Sequence, residues 1–161
     1  MKKLLIVLIV ILVLLSACSI EPEETERDKF SFRGHKFGES PEQAIETEDT
    51  DPIRPPEEFD DDFALGFGPV EAYGYEEAMF SLDFKNHKLW KMVVMVYYIE
   101  DVESAEVLKE ELLSQMEEFG EPDTVQRFKN SEAIRIIWFY EGYHIELNVN
   151  YNRFVIFFLQ D

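Results

Sequence analysis

Residues 133–160 read AIRIIWFYEGYHIELNVNYNRFVIFFLQ, and this stretch decides the fold. It holds three apolar-rich runs, interrupted at Glu141-Gly142 and at Asn152. Successive side chains of a strand point to opposite faces, so alternation with a period of two marks a strand with one face buried. Residues 143–150 alternate cleanly, with Ile145, Leu147 and Val149 on one side and Glu146, Asn148 and Asn150 on the other. Connections this short join antiparallel neighbours. The flanking runs 133–140 and 153–160 are therefore expected on either side of 143–150. In 133–140 the alternation is less strict, and Ile137 and Phe139 fall on the face opposite Ile145, Leu147 and Val149.

Working outward, residues 102–119 change period. Ala105, Leu108, Leu112, Met116 and Phe119 recur at helical spacing, while Lys109, Glu110, Glu111, Glu117 and Glu118 lie mostly elsewhere on the wheel. Asp101 is the expected N-cap, and Gly120 and Pro122 stop the helix. A shorter strand is expected at 124–129. On the other side of the helix, residues 89–98 are almost wholly apolar, as in a strand covered on both faces. Residues 75–84 alternate, with Ala78, Phe80, Leu82 and Phe84 against Ser81 and Asp83. Residues 85–88 turn the chain, and 70–73 lead into Gly74. Residues 50–62, with Pro52, Pro55, Pro56 and two acidic runs, read as a loop. Ser40-Pro41-Glu42-Gln43 fits a capping box opening a short helix with Ala44 and Ile45. Phe30 to Gly34 reads as a short opening strand.

Gly74-Tyr75 followed by a strand, a turn and a strand is echoed from Gly142-Tyr143, each time after a helix. The expected fold class is therefore α+β. One antiparallel sheet of about six to seven strands is built as two helix-plus-meander units, with one long and one short helix on one face. A single domain covers 30–161. The sheet resembles small bacterial envelope domains of the beta-lactamase-inhibitor-like and BamE-like kind. Phe32-Arg33-Gly34 and Phe37-Gly38-Glu39-Ser40 resemble the openings of uncharacterised secreted bacterial domains. These likenesses speak to fold and transfer no functional residue.

The chain begins with Lys2 and Lys3, twelve apolar residues from Leu4 to Leu15, and then Leu15-Ser16-Ala17-Cys18. A basic start, an apolar core and small residues at a cleavage site make a secretory leader. A membrane-spanning helix needs roughly 20 apolar residues, more than this run supplies. Leu15 to Cys18 resembles the lipobox of bacterial lipoproteins. That resemblance implies cleavage between Ala17 and Cys18, diacylation of the Cys18 thiol, and an extracytoplasmic protein held to the cell membrane by lipid. Two or more acyl chains anchor stably where one holds only marginally. Ser19 follows the cysteine, whereas an aspartate there would favour inner-membrane retention in Gram-negative lipoproteins. The organisation expected is a signal peptide over 1–17, the lipidated cysteine with a flexible acidic tether over 18–29, and the domain.

The formal charge is −19, and losing Lys2 and Lys3 with the leader takes it to −21. Such a chain repels phosphate backbones, which argues against nucleic acid. It also repels anionic headgroups, so the domain should stand off the bilayer. The chain's single cysteine is Cys18, so no disulfide is expected within the domain.

Little in the chain points to catalysis. His35, His87 and His144 form no His-x-x-x-His pair, and all three are expected at the surface, as neither zinc ligands nor other metal ligands. There is no Gly-x-Ser-x-Gly elbow. Asp49, Asp51, Glu57, Glu58 and Asp60 to Asp62 could gather around Ca²⁺, but the glycine and closing glutamate of an EF-hand loop are missing. A solvated acidic loop is the preferred reading, and no cofactor is expected. The fourteen Phe, seven Tyr and two Trp should mostly build core. Tyr73, Tyr75, Trp90, Tyr140 and Tyr143 are the aromatic candidates for recognition, near strand ends.

These observations lead to a lipid-anchored binding or interaction module, engaging another envelope protein or a small ligand. An envelope hydrolase without a recognisable motif is the alternative. The second face of the sheet, carrying Val93, Met95, Ile137 and Phe139, should be covered by residues 50–67. Any uncovered remainder, with Ile137, Phe139, Tyr140 and Tyr143, is the expected partner surface.

Overall fold

The computed structural model describes residues 29–48, 50–53, 62–100, 102–129 and 132–161. Among these, seven strands form one antiparallel sheet, and two α-helices pack on one of its faces. Helix α1 spans Pro41–Thr47 and helix α2 Ala105–Gln115. The strands are β1 (Asp62–Ala72), β2 (Tyr75–Lys85), β3 (Lys88–Val96), β4 (Thr124–Arg127), β5 (Ile134–Tyr140), β6 (Tyr143–Asn150) and β7 (Arg153–Gln160). Their order across the sheet is β1-β2-β3-β7-β6-β5-β4. The last strand thus closes against β3 and stands near the middle of the sheet. The leader, Cys18 and the tether to Asp28 lie outside the described residues, as do Asp49, residues 54–61 and Asp101.

The hairpins form where the chain chemistry allows tight turns. Asn86 and His87 adopt φ of 50° and 58°, and Tyr73 and Gly74 adopt 50° and 81°. Positive φ at both central residues matches the right-handed twist of the flanking strands. Ser40 caps α1 as a capping box: its Oγ accepts from the Gln43 N–H at 3.3 Å, and the Gln43 side chain accepts from the Ser40 N–H at 2.9 Å. Helix α2 starts later than the sequence suggests. Its N-cap is Ser104, whose Oγ accepts from the Val107 N–H, and residues 117–119 follow it as a short 3-10 turn.

The core lies between the helices and one face of the sheet. Leu65, Phe67, Phe80, Leu82, Met92, Val94, Ile136, Trp138, Ile145, Leu147, Phe154, Ile156 and Phe158 are essentially sealed from water. Ala105, Leu108, Leu112 and Met116 of the α2 region close over them, with α2 crossing β5 and β6. The Trp138 indole N–H donates to the Gly120 carbonyl at 3.0 Å, which ties β5 to the end of the helical segment. Phe30 and Phe32 lie against Phe158, and Phe32 also meets Phe80 and Tyr73.

Three expectations are corrected. Residues 62–67 are the first half of β1 and lie within the sheet rather than over it. Gly66, Gly68 and Pro69 break the alternation there, and the β1–β2 register slips between Phe67 and Val70 across a cis Gly68–Pro69 bond. Gly68 is needed because a Cβ would come within 2.7 Å of the Met79 sulfur. Phe30 to Gly34 form no strand: Phe32 and His35 make a single bridge around a turn at Arg33 and Gly34. Strand β3 is covered by helices on one face only. The register slips beside Trp90, with Leu89 opposite Phe84 and Lys91 opposite Asp83, and beyond it Val93 and Met95 carry the apolar run onto the second face.

Candidate functional site

The strand register places the residues of the second face. One row across it runs Gly66, Ser81, Val93, Phe157, Glu146, Ile137 and Thr124. The next runs Ala64, Asp83, Lys91, Leu159, His144 and Phe139. Met95, Val155, Asn148 and Arg135 stand in a third. No described helix or strand packs over these rows; of the segment expected to cover them, Ile53 reaches the face beside Gly66, and residues 54–61 lie outside the described residues. The centre is an apolar stripe of Val93, Met95, Val155, Phe157 and Leu159, and Val93 and Ile137 belong to no part of the helix-side core.

Two pairs of charged groups of this face are matched within it. Lys91 pairs with Asp83, and Arg135 with Glu146, which also accepts from the Asn148 amide at 2.7 Å. Burial pushes the Glu146 carboxyl up, but hydrogen bonds from Arg135 and Asn148 outweigh it and hold the group below the usual carboxylate range. The Nε–H of Arg135 is buried and finds no acceptor among the described residues. Nδ1 of His144 lies 2.7 Å from Asp161, and its ring stands 6.0 Å from that of Phe139.

The expected partner surface divides between the two faces. Ile137 and Phe139 are on the open face, 7% and 59% exposed respectively. Tyr140 and Tyr143 are on the helix side: their rings stack at 4.7 Å, Tyr143 is buried, and the Tyr140 hydroxyl donates to the Phe119 carbonyl at 2.8 Å. The other aromatic candidates are also engaged. Tyr73 stacks on Phe32, the Tyr75 hydroxyl donates to Glu111, and Trp90 lies under the Lys91 ammonium.

A second constellation was missed because His35 reads as an isolated surface histidine. The structure buries it completely. Nδ1 lies 2.6 Å from Glu39 and Nε2 lies 3.0 Å from Glu48. Both ring nitrogens are therefore within hydrogen-bond distance of a carboxylate. Arg33 donates to the same Glu48 at 3.0 and 3.1 Å and to the Glu71 carbonyl at 3.3 Å. Burial pushes the Glu48 carboxyl up, and the hydrogen bonds from Arg33 and His35 more than reverse it. This cluster fastens the turn at Arg33 and Gly34 to the end of α1 and to β1. The spacing His35-x-x-x-Glu39 beside a helix start was its one signal in the sequence. Its reach to Glu48 depends on the tertiary fold.

Neither histidine has a serine, threonine or cysteine completing a triad among the described residues. His87 lies in the β2–β3 turn and is exposed. Among the described residues no three His, Cys, Asp or Glu side chains converge as metal ligands, and no helix is long and apolar enough to cross a membrane. Cys18, Ala17 and most of the acidic loop over 49–62 lie outside the described residues. Comparison with protein-family models, with curated proteins and with solved structures finds no match, so the reading of the site rests on its geometry alone.

Proposed function

We propose that this protein is a lipid-anchored, extracytoplasmic binding module that recognises another envelope protein through the open face of its sheet. One observation carries the reading. The helices cover one face, while the other presents an apolar stripe whose neighbouring charges are already neutralised in pairs. Large apolar patches on monomers mark interaction sites. Paired charges beside such a patch cost less to desolvate than unpaired ones, because each ion keeps its partner when water leaves. The leader and Leu15 to Cys18 support anchoring through the Cys18 lipid. The chain order, with α1 ahead of β1 to β3 and α2 ahead of β4 to β7, supports two helix-plus-meander units joined at β3 and β7.

The test is substitution on the open face in the membrane-held protein. Phe139→Ser, on the most exposed large side chain of that face, should abolish co-purification of the partner from solubilised membranes while the melting temperature hardly moves. Retained capture would remove the open face from the reading. Mass spectrometry of the mature N-terminus tests the anchor: Cys18 should be N-terminal and acylated, and an unmodified Cys18 would contradict it.

A further inference from the structure

Resting on that reading, we infer that the Phe139 corner of the open face docks a membrane-held protein, through an apolar pocket rimmed by lysine or arginine. The first argument is position. The chain leaves the tether at Phe30, whose ring packs 4.8 Å from that of Tyr143. Tyr143 pairs with Tyr140 across the β5–β6 turn, and Phe139 is the next residue of β5. Phe139 therefore lies at the end of the sheet where the tether enters. Eleven residues, 19–29, separate Cys18 from Phe30. Whatever its path, a chain of that length spans at most about 40 Å. A protein anchored at Cys18 keeps this corner within that distance of the bilayer, so the surfaces it meets most often are those of other membrane-held proteins.

The second argument is charge. Phe139 is 59% exposed, and its backbone N–H donates to the Asp123 carboxylate at 2.7 Å. Asp161 lies against His144, and Glu141 stands in the adjoining turn. Asp123 thus touches residue 139 directly, Asp161 is held to the neighbouring His144, and Glu141 follows two residues on, so the acidic groups of this corner outnumber its described cations. Lys91 and Arg135, two of the cations further along the face, are bound to Asp83 and Glu146. An anionic lipid surface meeting this corner would be repelled. A protein surface offering an apolar pocket flanked by Lys or Arg would be complementary, and complementarity of this kind raises association rates and excludes wrong partners.

A photo-crosslinking amino acid placed at position 139 of the full-length protein, in intact cells, tests both arguments. The same group at Val107, exposed on α2, is the control. Adducts from position 139 should map by mass spectrometry to the extracytoplasmic part of a membrane-held protein, at a peptide containing Lys or Arg. Their yield should exceed that from position 107 roughly tenfold, the scale of a single well-packed aromatic anchor. In isolated membranes the yield should fall as salt is raised, because exposed charge pairs are screened. Adducts to a freely soluble protein would overturn the membrane-held partner while leaving the open face as the binding surface. Adducts to a second copy of this chain or to lipid would overturn the inference outright. Equal yields at 139 and 107 would overturn the binding reading itself. A yield indifferent to salt would overturn the basic rim.

Discussion

The two faces of one strand carry opposite assignments. In β7, Phe154, Ile156 and Phe158 are sealed under the helices and the Phe30 to Phe37 segment, while Val155, Phe157 and Leu159 between them stand on the open face. The residue types scarcely differ, and what differs is the covering. On the helix side the neighbours of these three are apolar or aromatic, with Phe30, Phe32 and Phe119 against Phe158 and Tyr75 against Phe154. On the open side the apolar stripe lies between ion pairs. Hydrophobicity in a central strand therefore does not show which face is core, and the polar residues of the adjoining β6 do.

The contrast can be broken most strongly from the helix side. Leu112→Asp puts an unpaired charge into a site with no water and no partner, at a cost of roughly 4 kcal/mol or more. The domain should lose its cooperative melt. A folded, monomeric variant would mean that α2 does not seal this face.

Next in size is the His35 cluster, which ties the N-terminal segment over the core. His35→Leu would leave Glu39 and Glu48 facing an apolar side chain, and only Glu48 retains Arg33. Removing the hydrogen-bond partner of two carboxylates at a buried site should cost about 2 kcal/mol here. Urea unfolding would show a lowered midpoint with an unchanged slope, and an unchanged midpoint would mean that the cluster contributes nothing net.

The acid limb should follow. Glu48 and Glu146 are both held below the ordinary carboxylate value of 4.5. Groups with a lowered folded value contribute stability that is complete above the ordinary value and lost as pH falls through the folded one. The urea midpoint should be level on this account down to about pH 5 and then decline. Glu48→Gln should flatten that decline, and an equally steep decline in the variant would place the acid sensitivity elsewhere.

The smallest effect belongs to the open face. Phe139→Ser should change stability by about 0.5 kcal/mol or less, as expected of an exposed position. Phe158→Ala, on the sealed face, should cost about 3–5 kcal/mol. Comparable losses from the two would show that Phe139 is covered. Ile137 is a poorer probe of recognition than Phe139, since at 7% exposure it also holds its row together.

Much of this architecture was legible because its signals are local. The alternation in β2 and β6, the turns at Asn86 and Gly142, and the capping box at Ser40 each involve residues a few positions apart. So does the period of Leu108, Leu112 and Met116. The first half of β1 was not legible, because Asp62 continues an acidic run and Gly66, Gly68 and Pro69 imitate a loop. Only pairing with β2 makes it a strand. Asp101 reads as the N-cap, whereas α2 starts three residues later, at Ser104. His35 looked solitary because Glu48, thirteen residues away, arrives through the packing of α1. Of the expected partner surface, Ile137 and Phe139 keep a common face, whereas Tyr140 and Tyr143 turn to the helix side with the phase of β5 and β6.

The most direct measurement compares neighbours along β7 in solution with a soluble paramagnetic probe, read by methyl NMR. The Val155 and Leu159 methyls should relax strongly while that of Ile156, on the same strand, is spared. Equal protection of all three would mean that the second face is covered, and the open recognition surface would not exist.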